Sequence, residues 1–329
     1  MRDLCSRILK TSIWASQINC RLLSSKSRRN SIPDWPSSSH YDDLINVAGR
    51  ERDFATVRRL LNKRMVDGFF NTTDTFKFIF NDLSVLTDLT ESLSHLDAGL
   101  TRKHSFDSLI LALSRVRRTD EALLVADEML KRRYGANAVT FHPILNTLAK
   151  KKQLKEAWRV VDLMRENDIH MDITGYNYIL TAYCCAGDMK SATDLLERME
   201  EEEKLQADSR TYDALVLGAC KVGKVEGALM VMRRMEEDGE KAILFSTHGH
   251  VIWGMLRVGC FEQAIEFVMS YAGRDKALDT QSFGSLASRL IGFRKFQQAR
   301  LVLMEMEKRD LPMGDKLREF YYSQETTTS

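Results

Sequence analysis

The sequence lacks the features that define several large classes of protein. No run of about eighteen apolar residues occurs in its 329 residues, so we expect no membrane-spanning helix. Six cysteines in a chain of this length do not make a disulfide framework. His248 and His250 flank Gly249, but no Cys, Asp or Glu lies at ligand spacing, so we predict no metal site. A phosphate-binding loop, GxSxG, HExxH and the HxE with CxxC pattern are missing, so we predict no enzyme, no cofactor and no small-molecule substrate.

Acidic residues are scarce at the start of the chain. Residues 1–33 contain seven Lys or Arg against one acidic residue, Asp3, among many serines. Four residues can form the apolar side of a short basic helix, as in an organellar presequence: Leu4, Ile8, Leu9 and Ile13. RLLSS at 21–25 resembles arginine-guided cleavage sites of plant mitochondrial presequences, which predicts removal near Leu23. Because arginines dominate, we favour the mitochondrion over the plastid. The alternative to a presequence is a disordered basic tail that binds an acidic partner.

Removal of residues 1–33 changes the sign of the net charge. The whole chain carries a formal charge of +2, and the remaining residues carry −4. A protein that binds nucleic acid by bulk neutralisation of phosphates is expected to stay basic after processing. Any nucleic-acid site in this chain must therefore be a local basic stripe.

Residues 173–208 contain the clearest helical pattern. Apolar residues recur at i, i+3, i+4 and i+7, first as Tyr176, Ile179, Leu180 and Tyr183, and then as Ala192, Leu195, Leu196 and Met199. Between the two stripes, Gly187 can take the left-handed conformation that ends a helix, and Asp188 can cap the next one. The pattern predicts a helical hairpin, which is too short to bury both stripes by itself.

The hairpin is repeated along the chain. A small residue recurs at separations of 35, 35, 36, 36 and 35 residues, as Ala122, Ala157, Ala192, Ala228, Ala264 and Ala299. Seven residues later stand Met129, Met164, Met199, Met235, Tyr271 and Met306. Spacing this regular predicts an all-α fold, an α-solenoid of stacked helix-turn-helix repeats in which these methionines belong to the core.

The repeats define the domain boundaries. After the presequence and linker at 1–33, we predict two degenerate helical-hairpin repeats over 36–102, the second weaker than the first. Six regular repeats follow, at 103–137, 138–172, 173–208, 209–244, 245–279 and 280–314. Residues 315–329 form a polar tail whose end, QETTTS, we expect to fray, and after Gly314 we expect no room for an appended catalytic domain.

The units resemble pentatricopeptide repeats of the short type built purely from repeats and found in plant organelles. That family has about 35 residues per unit, an opening like TYN, a turn like KxGxxxEA and a methionine in the second helix. VTFHPILNTLAKKKQLKEA from Val139 and RTYDALVLGACKVGKVEGA from Arg210 match this pattern closely. Tetratricopeptide repeats are less similar, because their tryptophan, leucine, glycine and tyrosine pattern is missing. The resemblance covers about residues 103–314 well and 36–102 poorly.

The resemblance implies a superhelix whose first helices line a concave groove that binds single-stranded RNA, one nucleotide per repeat. In the family, one base is read by the residue after the opening aromatic and the last residue of the unit. Carried over, the pairs are Asp107 with Asn137, His142 with Asp172, Asn177 with Asp208, Asp213 with Leu244, Gly249 with Asp279, and Gly284 with Gly314. Asn177 with Asp208 is the usual combination, which favours uracil in the family.

The other pairs depart from the family pattern. His142 is unusual in its position, Leu244 can neither donate nor accept a hydrogen bond, and Gly249 and Gly284 have no side chain. The residue that flanks the base is valine only at Val139 and is replaced in the other units by His104, Thr174, Arg210, Ser246 and Gln281. We expect two or three bases to be read, and Asn177→Ala to leave folding intact because the side chain points into the groove.

Two functions remain open from the sequence. The first is a non-catalytic mitochondrial adaptor that holds single-stranded organellar RNA for processing, stability, splicing or translation. The second is a scaffold for protein partners, for example on the mitochondrial ribosome, in which the groove takes a helix or loop of a partner. A Lys and Arg stripe along the groove favours RNA, and an apolar or acidic groove favours a protein.

Overall fold

The computed structural model of the protein describes residues 37–238 and 243–323. This part of the chain contains sixteen α-helices and no β-strand, which confirms the all-α prediction. The helices are α1 Ser38–Arg50, α2 Phe54–Val66, α3 Leu86–Ser94, α4 Leu100–Arg115, α5 Thr119–Lys131, α6 Ala138–Lys150, α7 Leu154–Glu166, α8 Ile173–Ala186, α9 Met189–Glu197, α10 Ser209–Lys221, α11 Val225–Asp238, α12 Phe245–Arg257, α13 Phe261–Tyr271, α14 Lys276–Gly292, α15 Phe296–Lys308 and α16 Asp315–Ser323. The presequence predicted over 1–33 lies outside the described residues.

The hairpin of α8 and α9 forms as its sequence predicts. Gly187 ends α8 in the left-handed conformation with φ 78°. Asp188 follows as the N-cap of α9, and its side chain accepts a hydrogen bond from the amide of Ser191 at 3.1 Å. A π-helical segment, Arg198–Glu202, extends α9. One residue that can adopt positive φ and one that can cap are therefore sufficient to reverse the chain.

The same left-handed turn residue occurs in the other hairpins, but it is not always glycine. Arg52, Arg117, Lys152 and Arg294 hold φ angles between 58° and 63° at this position. Glycine occupies it at Gly187, Gly223 and Gly259. A side chain in this conformation costs about 1 kcal/mol or more, so four hairpins keep a basic side chain at the turn in spite of the strain.

The hairpins stack through their first helices. Helices α4, α6, α8, α10, α12 and α14 each pack against the next in the series. The recurring small residue is fully buried in every unit, at Ala122, Ala157, Ala192, Ala228, Ala264 and Ala299. Met129, Met164, Met199, Met235 and Met306 are buried to at least 99%. The repeat pattern therefore marks the contacts that join the two helices of a unit to their neighbours.

The two degenerate units differ from each other. Helices α1 and α2 form a hairpin whose interior holds Arg64, 1% exposed, with its guanidinium 2.8 Å from the carboxylate of Asp42 and 3.1 Å from the hydroxyl of Thr75. The second unit opens with 3₁₀ segments, Lys77–Phe80 and Leu83–Val85, in place of a first helix, and then continues into α3.

The last units begin and end differently from their sequence pattern. Helix α14 begins at Lys276 and not at residue 280, because Asp275 caps it through the amides of Ala277 and Leu278. The first part of the predicted polar tail, residues 315–323, forms α16, and the hydroxyl of its buried Tyr321 donates to Glu307 at 2.7 Å. QETTTS, the part of the tail expected to fray, lies outside the described residues. None of the helices in the described part has the length and apolar character that a membrane span requires.

Candidate functional site

Three adjoining clefts run along the first helices of the repeats. The α4–α6 cleft has a volume of about 330 Å³, the central cleft between α6 and α12 about 880 Å³, and the Trp253 cleft between α10 and α14 about 450 Å³. Asn146 and Lys150 line both the first and the second cleft, and Ser246 lines both the second and the third. Because neighbouring clefts share residues, they form one continuous surface, which we call the groove.

The groove is basic. Eight Lys or Arg side chains line the three clefts, against a single carboxylate, that of Asp213. Within the described residues, only Arg115 among the eight forms an ion pair, a 3.7 Å contact with Asp74. The eight are Arg115, Arg117, Lys150, Lys151, Lys152, Arg210, Lys221 and Arg289. The groove therefore has the opposite sign to the net charge of the chain after residue 33.

Asn177 and Asp208 lie together, as their pairing predicts. The Asn177 amide nitrogen donates to Asp208 at 3.0 Å, and its amide oxygen accepts from the hydroxyl of Thr211 at 2.8 Å. Asp208 is the N-cap of α10 and accepts from the amides of Arg210 and Thr211. Asn177 lines the central cleft but is only 6% exposed, so its side chain also serves the contact between two repeats.

Asp107 and Asn137 are connected through a lysine. Lys103 donates to the Asp107 carboxylate at 2.5 Å and to the Asn137 amide oxygen at 3.4 Å. The hydroxyl of Thr140 donates to the other oxygen of Asp107 at 2.8 Å. Asn137 caps α6. The two predicted residues are therefore close without a direct hydrogen bond.

His142 and Asp172 make a direct contact. Nε2 of His142 is 2.7 Å from the carboxylate of Asp172, which also accepts from the amide of Gly175 as the N-cap of α8. The imidazole ring packs edge-to-face against Tyr178, with 6.1 Å between ring centroids. This pair differs chemically from the others because an aromatic ring takes the place of a short polar side chain.

Asp213 has no polar partner in Leu244, the residue paired with it by sequence, although both line the central cleft. Its carboxylate accepts from the hydroxyls of Thr247 at 2.7 Å and Ser246 at 2.9 Å, and Nε2 of His250 is 3.7 Å away. Burial pushes the pKa of Asp213 upward, but the nearby imidazole of His250 and the hydrogen bonds from Thr247 and Ser246 outweigh it and bring the pKa below its ordinary value.

The remaining predicted positions divide between the groove and the interior. Val139 is 56% exposed on α6, and Gly249 lines the Trp253 cleft. Asp279 is only 6% exposed and accepts from the amide of Gly273 at 2.8 Å. It lies inside α14 and not at its cap, because that helix begins earlier. Gly284 and Gly314 contribute no side chain.

Sequence reasoning missed the threonine that precedes the opening aromatic. Thr140, Thr211 and Thr247 are each at most 1% exposed and donate to Asp107, Asn177 and Asp213 of the preceding repeat. The first two also accept from the backbone amide of their N-cap residue. The sequence signal that could have indicated these hydroxyls is the recurrence of threonine in VTF, RTY and STH. These hydroxyls fix the candidate base-reading side chains in position.

Stacked helical hairpins with a polar groove along their first helices define a helical-repeat solenoid. Two family models match the chain, "Pentatricopeptide repeat-containing protein" over residues 80–199 and "PPR repeat" over 210–240. Pentatricopeptide repeat-containing protein At3g56030, mitochondrial, of Arabidopsis thaliana is 48% identical over 324 residues, 96% of this chain and 90% of that protein. At2g40240, mitochondrial, of the same plant is 48% identical over 292 residues, 88% of this chain and 83% of that protein. The chain belongs to the pentatricopeptide repeat family.

Solved structures show the same fold. The pentatricopeptide repeat protein PPR10 from maize matches with a TM-score of 0.53 at 20% identity over 84% of this chain. PPR10 in complex with an 18-nt psaJ RNA element matches with a TM-score of 0.54 at 20% identity over 88% of this chain. The chain spans about two fifths of the length of PPR10, 39% and 41% in the two structures.

Proposed function

We propose that this protein is a non-catalytic, mitochondrial RNA-binding adaptor that holds single-stranded RNA along the groove. It would act in transcript processing, stability, splicing or translation by occupying the RNA. The observation that carries the proposal is the charge of the groove, where eight basic side chains face one carboxylate. Such a stripe gathers phosphates locally, although the repeats as a whole are acidic.

Three further observations support the proposal. Polar side chains able to bond a base edge, Asn177 and Asp213, line the central cleft. PPR10 was solved with an RNA element and has the same fold. The composition of residues 1–33 and the names of two relatives, which are called mitochondrial, support the location.

The test is binding of the full chain to single-stranded and duplex RNA of the same sequence at several salt concentrations. We expect tighter binding to the single strand, because duplex bases are stacked and paired, and an affinity that falls as salt rises. Absence of binding at low salt, or equal and salt-insensitive binding to both forms, contradicts the proposal.

A protein-binding scaffold is the second candidate. Leu244, Gly249, Gly284 and Gly314 occupy base-reading positions, and none of the four can hydrogen-bond a base through a side chain. Co-sedimentation of the protein with mitochondrial ribosomes, together with no RNA binding by the isolated chain, would support this function over the first.

A further inference from the structure

Trp253 places an aromatic ring at a position of the repeat where the preceding units have none. It lies on α12, five residues after the opening aromatic position, and it lines the Trp253 cleft. The equivalent residues of the four preceding units also line the groove, and none of them is aromatic: Leu111, Asn146, Thr181 and Leu217. A ring at this position therefore changes what the groove can bind at this unit.

The base-reading position at Gly249, beside Trp253, is open. Gly249 lines the same cleft, and a Cβ atom built on it would have no neighbour within 4 Å. Phe245, 48% exposed, lines the cleft as well. With no side chain to bond a base edge at Gly249, the space beside Trp253 can accept the flat face of a base.

Basic side chains surround the ring. Nζ of Lys221 lies 5.7 Å from the Trp253 ring centroid inside the cleft, and Arg289 lines the cleft from α14. Arg257, which does not line the cleft, lies 4.8 Å from the same centroid and donates to the carbonyl of Cys220 at 3.0 Å. No carboxylate lines this cleft in the described residues. The combination of aromatic faces with cationic side chains is the chemistry that binds unpaired bases and their phosphates.

We propose that the Trp253 cleft is a stacking site for one unpaired nucleobase, with Lys221 and Arg289 contacting the adjoining phosphates. The proposal rests on the proposed function and deepens it. Because every base has a π-face, this site holds RNA without regard to base identity, whereas Asn177 reads an edge. In the unit of Gly249, which has no side chain to hydrogen-bond a base edge, stacking on Trp253 would hold the base instead.

Tryptophan fluorescence tests the stacking directly. The full chain contains four tryptophans, and a base stacked on an indole quenches its emission. The full chain is titrated with single-stranded oligouridylate and oligoadenylate of about twelve nucleotides. We expect quenching by both oligomers, retained in Trp158→Phe and lost in Trp253→Phe. Trp158 is the matched control because it lies on α7, outside the three clefts, with its indole nitrogen donating to Tyr183 at 3.1 Å.

Affinity provides a second readout. Trp253→Leu should weaken binding of both oligomers about tenfold, the size expected for the loss of one stacked base, and Trp253→Phe should restore most of it. Gly249→Leu fills the cleft from the same face of α12 and should weaken binding similarly, because the leucine takes the space of the stacked base. An abasic ribose-phosphate oligomer should bind the wild-type chain and Trp253→Leu equally, because it has no base to stack.

The outcomes separate this proposal from the proposed function. RNA binding with the same quenching in Trp253→Phe as in the wild type overturns the stacking site and leaves RNA binding in place. So does unchanged affinity in a folded Trp253→Leu chain. No binding of either oligomer at low salt removes both proposals together. If Trp253→Leu fails to fold, the fluorescence of Trp253→Phe still shows whether the quenching arises from Trp253.

Discussion

His248 occupies the position where most other units have phenylalanine or tyrosine. It is 1% exposed and packs against Phe267 and Tyr271, with ring centroids 5.3 Å and 4.6 Å away. Neither ring nitrogen has a hydrogen-bond partner within the described residues. Burial lowers the pKa of His248 below its ordinary value, and nearby Glu236, Arg274 and Asp279 modify it.

We predict that His248→Phe stabilises the protein by about 1 kcal/mol at neutral pH, because two unpaired polar atoms leave the interior. At this histidine the unfolded state binds a proton more tightly than the folded state. Titration of His248 therefore costs the folded protein little above about pH 6.5, and it destabilises the folded protein as the pH falls below that value. The gain from His248→Phe should therefore grow between pH 7 and pH 5.

Thermal unfolding followed by circular dichroism at both pH values measures this gain. His170→Gln is the control, because His170 is exposed and its replacement should change neither midpoint. The lowered pKa of Asp213 stabilises the folded state at both pH values, because that stabilisation is lost only below the ordinary pKa of 3.8, so Asp213 does not contribute to the difference between pH 7 and pH 5. A pH-independent gain would contradict the titration argument.

Asn177 combines a structural with a proposed reading role. The sequence alone predicts that Asn177→Ala leaves folding intact. In the structure both the nitrogen and the oxygen of the amide are hydrogen-bonded, so the substitution deprives Asp208 and Thr211 of a partner each. We therefore expect the free energy of unfolding to fall by about 1–2 kcal/mol. Discrimination for one base should also weaken, by at most about 1–3 kcal/mol.

Urea unfolding and competition among oligomers that differ at one base measure the two effects of Asn177→Ala. Asn146→Ala is the matched control: it lines the same cleft on the neighbouring first helix and makes no side-chain hydrogen bond within the described residues. Unfolding at the wild-type midpoint would show that the bonds of Asn177 contribute nothing to the contact between repeats.

At the scale of the helix, the buried small residue is the most constrained position of each unit. Ala192 on α9 has no exposed surface. We predict that Ala192→Arg unfolds the repeat, because a long charged side chain has no space or partner there. Thr193→Arg, one residue along on the exposed side of α9, should be tolerated.

Limited proteolysis and circular dichroism distinguish the two arginine variants. Cleavage of Ala192→Arg within residues 173–208 is expected, while Thr193→Arg resists as the wild type does. Equal resistance of the two variants would mean that the contact around Ala192 can reorganise, contrary to a stack of hairpins with one fixed packing.

The features predicted from sequence are those set by a single helix. The stripe of Tyr176 and Leu180, the turn at Gly187 and the cap at Asp188 all depend on residues within one hairpin, and the structure confirms them. The start of α14 could not be predicted, because Asp275 and Asp279 are both able to cap a helix. Tertiary context decides between them, since Asp279 instead accepts from the amide of Gly273.

The contacts between repeats were less accessible from the sequence. The hydrogen bonds of Thr140, Thr211 and Thr247 join two neighbouring units, so their geometry exists only after stacking. The burial of His248 likewise follows from packing against α13. For the groove, the pairing of Asn177 with Asp208 follows from the family resemblance, whereas the basic lining depends on which lysines and arginines the first helices bring together.

At the scale of the whole molecule, charge separates the groove from the rest of the surface. Lys150 and Arg210 are exposed, line the central cleft and form no ion pair with a described carboxylate. We predict that the double variant Lys150→Gln with Arg210→Gln weakens RNA binding and reduces the salt dependence. For a single strand, the slope of log K against log salt should fall by about 0.7 for each phosphate that the groove no longer neutralises.

Titrations at several salt concentrations with the full chain measure both changes. Lys155→Gln is the control, because Lys155 is exposed on the second helix α7, outside the clefts. All variants keep the seven basic residues of the first 33, so binding by that segment contributes equally to each. If the double variant and the control showed the same slope of log K against log salt, the RNA phosphates would lie outside the groove. Salt screens the attraction between a basic side chain and a phosphate, so only nearby phosphates are neutralised.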